Sequence, residues 1–276
     1  MTVAAPEVRS LPVPPRPRRP RTTAVIAVAA VVLVAVHVVA WLVTEMSFST
    51  LLDGVGGMGR FIADAVPPDV SWDVLGPSLN GALVTFSMGL MGTTLSIPFA
   101  LALALLAARG TAPGPVTYQV ARNVLSFLRA VPDVVFALIF VTAVGLGPFP
   151  GVLALVLHNV GVMGKLWAET LEDADPGPPT VLRSAGAGKL QIATHALLPS
   201  VVPQMVGLLL YRLDVNVRAS LVLGLVGAGG IGFLINQSIQ LFRFDEMLTH
   251  ILVVLVLIVV VDRLSALVRR RLGSAS

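Results

Sequence analysis

Stretches of about 20 apolar residues recur along this chain, and they constrain its fold more than any other feature. Of the 276 residues, 55% are hydrophobic and only 12% are charged, which is about half the charged share of a typical soluble domain. A helix needs about 20 mostly apolar residues to cross the hydrocarbon core of a bilayer. The composition therefore predicts an all-α integral membrane protein with about six transmembrane helices.

The apolar stretches and the charges between them divide the chain into segments. The candidate spans lie at about residues 24–43, 79–107, 131–144, 152–168, 201–217 and 247–261. The predicted organisation is an Arg- and Pro-rich arm (1–23), a first transmembrane helix (24–44), a loop (45–78), a transmembrane core (79–265) that includes a polar hairpin (169–199), and a tail (266–276).

The positions of the arginines predict the topology. Arginines cluster in the arm, between the second and third spans, and after the last span, whereas the loop at 45–78 is acidic. Because cytoplasmic segments of membrane proteins carry an excess of Lys and Arg, we expect both termini and the hairpin in the cytoplasm and the loop outside. The chain has no cysteine, so disulfides and thiolate metal sites are excluded.

Four polar residues interrupt the fifth span. Asp214 and Arg218 are spaced i and i+4, as are Arg212 and Asn216, so each pair shares one face of a helix. In one interpretation Asp214 neutralises both arginines in a local salt-bridge network. In the other, Arg212, Asn216 and Arg218 line the path of an anionic substrate, since guanidinium groups suit phosphate-like oxygens.

The fourth span contains one histidine, His158. It is a candidate for the substrate path, although a lone histidine in an apolar helix is more often hydrogen-bonded to its neighbours. No second histidine or carboxylate lies beside it at the spacing of metal ligands, so we predict no metal site.

A glycine-rich segment follows the fifth span, with Gly227, Gly229, Gly230 and Gly232 in the pattern G-x-G-x-x-G. A dinucleotide site would also need a βαβ unit, which the apolar flanks do not offer. We predict a bend or re-entrant loop with a gating role, which is possible at membrane depth where protein or a water-filled cavity surrounds it. The chain lacks a Walker A sequence, so we do not expect it to be an enzyme that hydrolyses ATP.

Several segments together resemble the permease subunits of phosphonate ABC importers over about residues 75–272. They are the segments 129–133, 145–169, 175–178, 211–232 and 241–246, together with the spacing of Gly186 to Leu198 and Pro199 in the hairpin. The resemblance implies a type I, MetI-like fold in the bacterial inner membrane and a permease homodimer. It also implies separate ATPase subunits that bind ATP and Mg²⁺, an extracytoplasmic solute-binding protein, contact with membrane lipid and no nucleic acid.

In that family the hairpin docks into the ATPase. The resemblance assigns coupling to Thr180, Arg183, Gly186, Ala187, Leu198 and Pro199. Thr180 replaces the glutamate of the family motif, and we expect it to cap the helix after Pro179. Contact with the ATPase would then rest on the Gly186 turn and Arg183. An acidic run at the start of the hairpin, residues 169–175, is either solvated or complementary to the partner.

The resemblance implies transport of phosphonate or a related phosphorus oxyanion. Phosphate, phosphite or another small solute is the close alternative, because a separate binding protein usually dominates selectivity. A secondary transporter, which would need no ATPase, is a further alternative, and the hairpin argues against it.

Overall fold

The computed structural model describes the backbone of residues 20–273 and the side chains of residues 24–268. In that range every regular element is helical and no strand occurs, which confirms the predicted all-α class. The helices are α1 (Pro20–Val43), α2 (Phe48–Ala65), α3 (Trp72–Ala107), α4 (Pro115–Ala130), α5 (Asp133–Val144), α6 (Pro148–Glu172), α7 (Gly177–Ser184), α8 (Lys189–Ile192), α9 (Leu198–Leu223), α10 (Gly230–Gln240) and α11 (Phe244–Gly273).

Within the described residues, five helical segments are long and apolar enough to cross a membrane, and α4 with α5 forms a sixth if the bent pair counts as one span. The number agrees with the six predicted spans. The five are α1, α3, α6, α9 with its flanking turns, and α11.

The chain divides into two compact units, one ending at Gly59 and the other beginning at Arg60. The first contains α1, whose apolar side chains are exposed along its length. The second contains α3 to α11 and every residue of the candidate site. The segment predicted as a loop, 45–78, is helical over much of its length, because α2 occupies Phe48–Ala65 and α3 begins at Trp72.

The third predicted span, 131–144, is only part of a broken one. Helix α5 has 12 residues, about 18 Å of rise, which is too short to cross the membrane alone. It follows α4 across a bend of 83°. Pro132 is at the bend, and a residue that precedes proline disfavours helical geometry.

Three helices, α3, α6 and α9, pack against one another at the centre of the second unit. Helices α4 and α5 pack on α6, while α10 and α11 pack on α3 and α9. The contact surfaces are rich in small residues, such as Ala100, Ala104 and Gly164, which are fully or almost fully buried. Small residues let helix backbones approach closely where lipid offers no hydrophobic driving force.

The predicted hairpin, 169–199, consists mostly of helix. Helix α6 extends to Glu172, and α7 and α8 follow as short helices. A π-helical turn, Ala193–Leu197, then joins α8 to α9 without a loop. Leu198 and Pro199 therefore open the long helix α9, where the absence of an N–H on proline is tolerated.

Candidate functional site

A chain of hydrogen bonds connects α3, α6 and α9 in the interior of the second unit. Arg212 Nε donates to Asn159 Oδ1 (2.8 Å), and Arg212 Nη2 donates to Asn216 Oδ1 (3.2 Å). Asn159 Nδ2 reaches Ser96 Oγ (2.6 Å), and Asn216 Nδ2 reaches Thr93 Oγ1 (2.8 Å). We call these five residues the polar network. All five are buried, so the network holds the three central helices in one register.

Arg212 carries a charge that no described carboxylate neutralises by direct contact. The three ion pairs among the described side chains join other residues, and the acceptors of Arg212 are neutral amide oxygens. The interpretation in which Asp214 neutralises both arginines is therefore wrong for this structure. The helical spacing does bring Arg212 and Asn216 together, as the i, i+4 pattern indicates.

Asp214 and Arg218 form an ion pair on a different face of α9. Arg218 Nη2 contacts Asp214 Oδ2. The Asp214 side chain is buried, whereas the Arg218 side chain is 53% exposed. The other carboxylate oxygen, Asp214 Oδ1, is buried and has no hydrogen-bond partner among the described residues. Since an ionised group at the bilayer centre costs at least ~2.5 kcal/mol on insertion scales, the open side of Arg218 should face water or protein rather than lipid.

Among the described residues, His158 forms no hydrogen bond with either cluster. Its Nδ1 is 3.1 Å from the carbonyl oxygen of Val131, at the bend between α4 and α5. This contact favours the packing role over the substrate path, because a ring nitrogen that bonds a backbone carbonyl is fixed in place. The neighbouring residue Asn159 enters the polar network instead.

The polar network includes three residues that the sequence did not single out as site residues: Thr93, Ser96 and Asn159. The position of the Asn159 amide in an apolar helix could have identified it as a residue of the bundle interior. Thr93 and Ser96 gave no comparable signal, because serine and threonine in membrane helices often bond their own backbone, as both hydroxyls also do here.

The glycine-rich segment forms a tight bend between α9 and α10. Gly227, Gly229 and Gly230 have φ values of 96°, 75° and 71°, which glycine adopts at little cost. Gly232 has a different role, since a Cβ there would collide with the carbonyl oxygen of Leu221. The bend is fixed to its surroundings, with Gly147 N–H donating to Gly227 O at 3.0 Å. A gating role for these glycines stays a prediction.

Gly186 ends α7 in a Schellman motif. Its φ is +85°, its N–H donates to Arg183 O, and the N–H of Ala187 donates to Leu182 O, both at 3.0 Å. This 6→1 and 5→2 pairing is the usual helix end at a left-handed glycine. Leu182 and Ala187 also pack against the core between α3, α6 and α9. The turn therefore has the geometry of a defined helix end and packs on the helices that form the bundle.

Thr180 does not cap a helix, contrary to the prediction. Helix α7 begins three residues earlier, at Gly177, because prolines at its first positions need no N–H partner. The Thr180 hydroxyl donates to Pro176 O (2.6 Å). Asp175 satisfies the helix start instead, by accepting the Gly177 N–H at 2.9 Å.

Two residues of the hairpin, Lys189 and Glu172, bind α4 and the segment that precedes it. Lys189 Nζ donates to Ala112 O at 2.8 Å. Glu172 accepts the backbone N–H of Arg109 (2.9 Å) and pairs with Arg122 (3.2 Å). The carboxylates of Glu172 and Asp175 thus bond groups of this chain. Fewer acidic side chains of residues 169–175 therefore remain for contact with a partner.

The hairpin presents apolar side chains away from the bundle. Pro179, Ile192 and Leu197 are buried, whereas Val181 and Leu190 are 69% and 73% exposed. Thr180, Arg183 and Gly186 are exposed as well. Exposed apolar groups beside polar ones are typical of a docking surface.

Among the residues that the structure describes, no group of three or more His, Asp or Glu side chains could hold a metal ion. Residues 97–274 match the family of binding-protein-dependent transport system inner membrane components. The chain belongs to this family. This inner membrane component is 40% identical over 239 residues to the phosphite transport system permease protein PtxC of Stutzerimonas stutzeri, with 85% of each chain covered.

A second relative is the phosphate-import permease protein PhnE of Mycolicibacterium smegmatis, at 39% identity over 238 residues; the match covers 86% of the inner membrane component described here and 44% of the relative. A solved structure of the MetNI methionine ABC transporter in an inward-facing conformation aligns with a TM-score of 0.59 at 20% identity, covering 73% of this chain and 96% of the other. That likeness concerns the fold.

These findings confirm the predicted family, the MetI-like fold and the role of permease subunit in an ABC importer. An inner membrane component of this family works with an ATPase subunit and a solute-binding protein. Binding of ATP and Mg²⁺ by an ATPase partner is consistent with this architecture.

Proposed function

We propose that this permease carries a phosphorus oxyanion, such as phosphite, phosphate or a phosphonate, from an extracytoplasmic binding protein to the cytoplasm. The two relatives at about 40% identity are named for phosphite and phosphate. The proposal includes a homodimer of this chain, with both termini in the cytoplasm and a separate ATPase that drives the cycle.

The observation that carries the proposal is the net positive charge of α9 at membrane depth. Arg212 has only amide oxygens as acceptors among the described residues, and Asp214 is already paired with Arg218. One positive charge therefore remains in a segment where each charge is costly. A fixed positive potential in a low-dielectric pathway attracts anions and repels cations.

In this proposal the hairpin couples the ATPase to the helices. Thr180, Arg183 and Gly186 are exposed on the hairpin, and Ala187 packs against the core beside them. Leu198 and Pro199 begin α9. Motion of the hairpin would pass directly into the helix that carries Arg212 and Arg218. If the ATPase binds ATP more tightly in one conformation than in another, ATP binding shifts the population toward that conformation. The hairpin then shifts the bundle between two arrangements.

A competition assay in proteoliposomes tests the substrate class. The complete complex, with its ATPase and its binding protein, should import labelled phosphite or phosphate. Unlabelled phosphite, phosphate or methylphosphonate should reduce that uptake, and methionine at equal concentration should not. Uptake of methionine, with none of the three phosphorus oxyanions transported, would contradict the proposal.

A further inference from the structure

Along one face of α9, exposed side chains recur over most of the length of the helix. Tyr211 and Val222 are 53% and 46% exposed, the Arg218 side chain is 53% exposed, and Gln204 is exposed as well. At 100° per residue these four positions fall within an arc of about 40°. We call this stripe the open face.

The open face is separate from the polar network. Arg212, Asn216 and Ser220 point into the contact with α3 and α6, where all three are buried. Leu221 packs against the cluster of Ala82, Ile231 and Val254, which belong to α3, α10 and α11, and Asp214, two turns earlier, is buried on that same side. Thus α9 is covered on the sides of α3, α6 and α11, and the open face lies between them.

Three side chains of the open face are too polar to favour contact with lipid. Gln204, Tyr211 and Arg218 recur every seven residues, so their backbones are about 10.5 Å apart and span about 21 Å in total. That distance is about two thirds of the hydrocarbon thickness. An amide, a phenol hydroxyl and a guanidinium all donate hydrogen bonds to oxygen, and a ladder of donors matches an oxyanion that moves along the helix.

We infer that the open face of α9 lines the translocation path, with Arg218, Tyr211 and Gln204 as successive contact sites for the anion. The inference rests on the proposed function and assigns residues to it. Asp214 has a positioning role, because it holds one side of the Arg218 guanidinium and offsets part of its charge. Because Asp214 offsets part of the positive charge, Arg218 binds an anion weakly enough to release it. Conduction requires sites that release the ion as well as bind it.

Cysteine accessibility tests this assignment without reference to transport. Because the chain has no cysteine, single substitutions Gln204→Cys, Tyr211→Cys and Val222→Cys can be probed in the complete complex. Control positions are Val217→Cys, at a residue 1% exposed on a covered side of α9, and Val256→Cys, at an apolar residue of α11 that is 64% exposed. Copurification with the ATPase establishes that each variant is assembled.

A charged, membrane-impermeant methanethiosulfonate, supplied on both sides of the membrane, should modify the three open-face cysteines about tenfold faster or more than either control, because thiolates form and react in water. Val222→Cys leaves every polar side chain intact, so its rate remains decisive if another variant fails to assemble. Rates at the open face equal to the rate at 256 would overturn the inference.

Addition of inorganic phosphite separates this inference from the proposed function. Slower modification at 211 in the presence of phosphite supports both. Fast modification of the open face, together with no import of any phosphorus oxyanion, keeps the path assignment and overturns the substrate class.

Discussion

Replacement of Arg212 by glutamine is expected to lower phosphite uptake by about tenfold or more, because the change removes the unpaired charge of α9 and leaves buried acceptors unsatisfied. Arg212 supplies the donors for Asn159 Oδ1 and Asn216 Oδ1. The shorter, neutral side chain cannot reach both amides. Initial uptake rates of the reconstituted complex, at equal amounts of assembled protein, measure the effect.

Two further variants separate charge from position. Arg212→Lys keeps the charge and loses the fixed fork of donors, so we expect uptake between those of the parent and Arg212→Gln. Arg263→Gln is the matched control, since Arg263 is exposed on α11 outside the polar network, and it should transport like the parent. Uptake by Arg212→Gln at the parental rate would show that the charge of Arg212 has no part in transport.

Replacement of Gly161 by alanine is expected to destabilise the bundle by roughly 1–3 kcal/mol, the range for overpacking a close helix contact. A Cβ at Gly161 would lie 2.6 Å from the backbone nitrogen of Arg129 and 2.8 Å from the carbonyl carbon of Leu128. These are backbone atoms of α4, so no side-chain rotation relieves the collision. The midpoint of thermal unfolding of the detergent-solubilised permease should fall by about 5 °C.

Gly207→Ala is the control for this prediction. Gly207 is also inside a helix, but a Cβ there meets nothing within 4 Å. Alanine favours a helix over glycine by about 1 kcal/mol, so this variant should unfold at the parental temperature or above it. Equal midpoints for the two variants would contradict the close packing of α4 on α6.

Local spacing in the sequence predicted what lies within one helix. The 3.6-residue period identified the pairs Arg212 with Asn216 and Asp214 with Arg218, and both pairs are in contact. It could not predict that Arg212 bonds Asn159, since these two residues are 53 positions apart and lie on different helices. It also did not show that Arg218 alone of the two arginines is exposed.

The predicted helix boundaries were wrong where neighbouring residues favoured different local structures. Thr180 followed two prolines, which suggested a helix start at that point, but α7 begins at Gly177 because proline suits the first positions of a helix. The glycines and acids of α2 resembled a loop, although Phe48–Ala65 is helical. Within the hairpin, Gly186 was singled out for its spacing, and the structure adds its physical reason, a positive φ at a helix end.

ATP dependence of uptake tests the central claim most directly. Proteoliposomes that contain this permease, its ATPase and its binding protein should accumulate labelled phosphite or phosphate with ATP on the ATPase side, and should accumulate none when ATP or the ATPase is omitted. Accumulation by the permease alone, without ATP or the ATPase, would contradict the account.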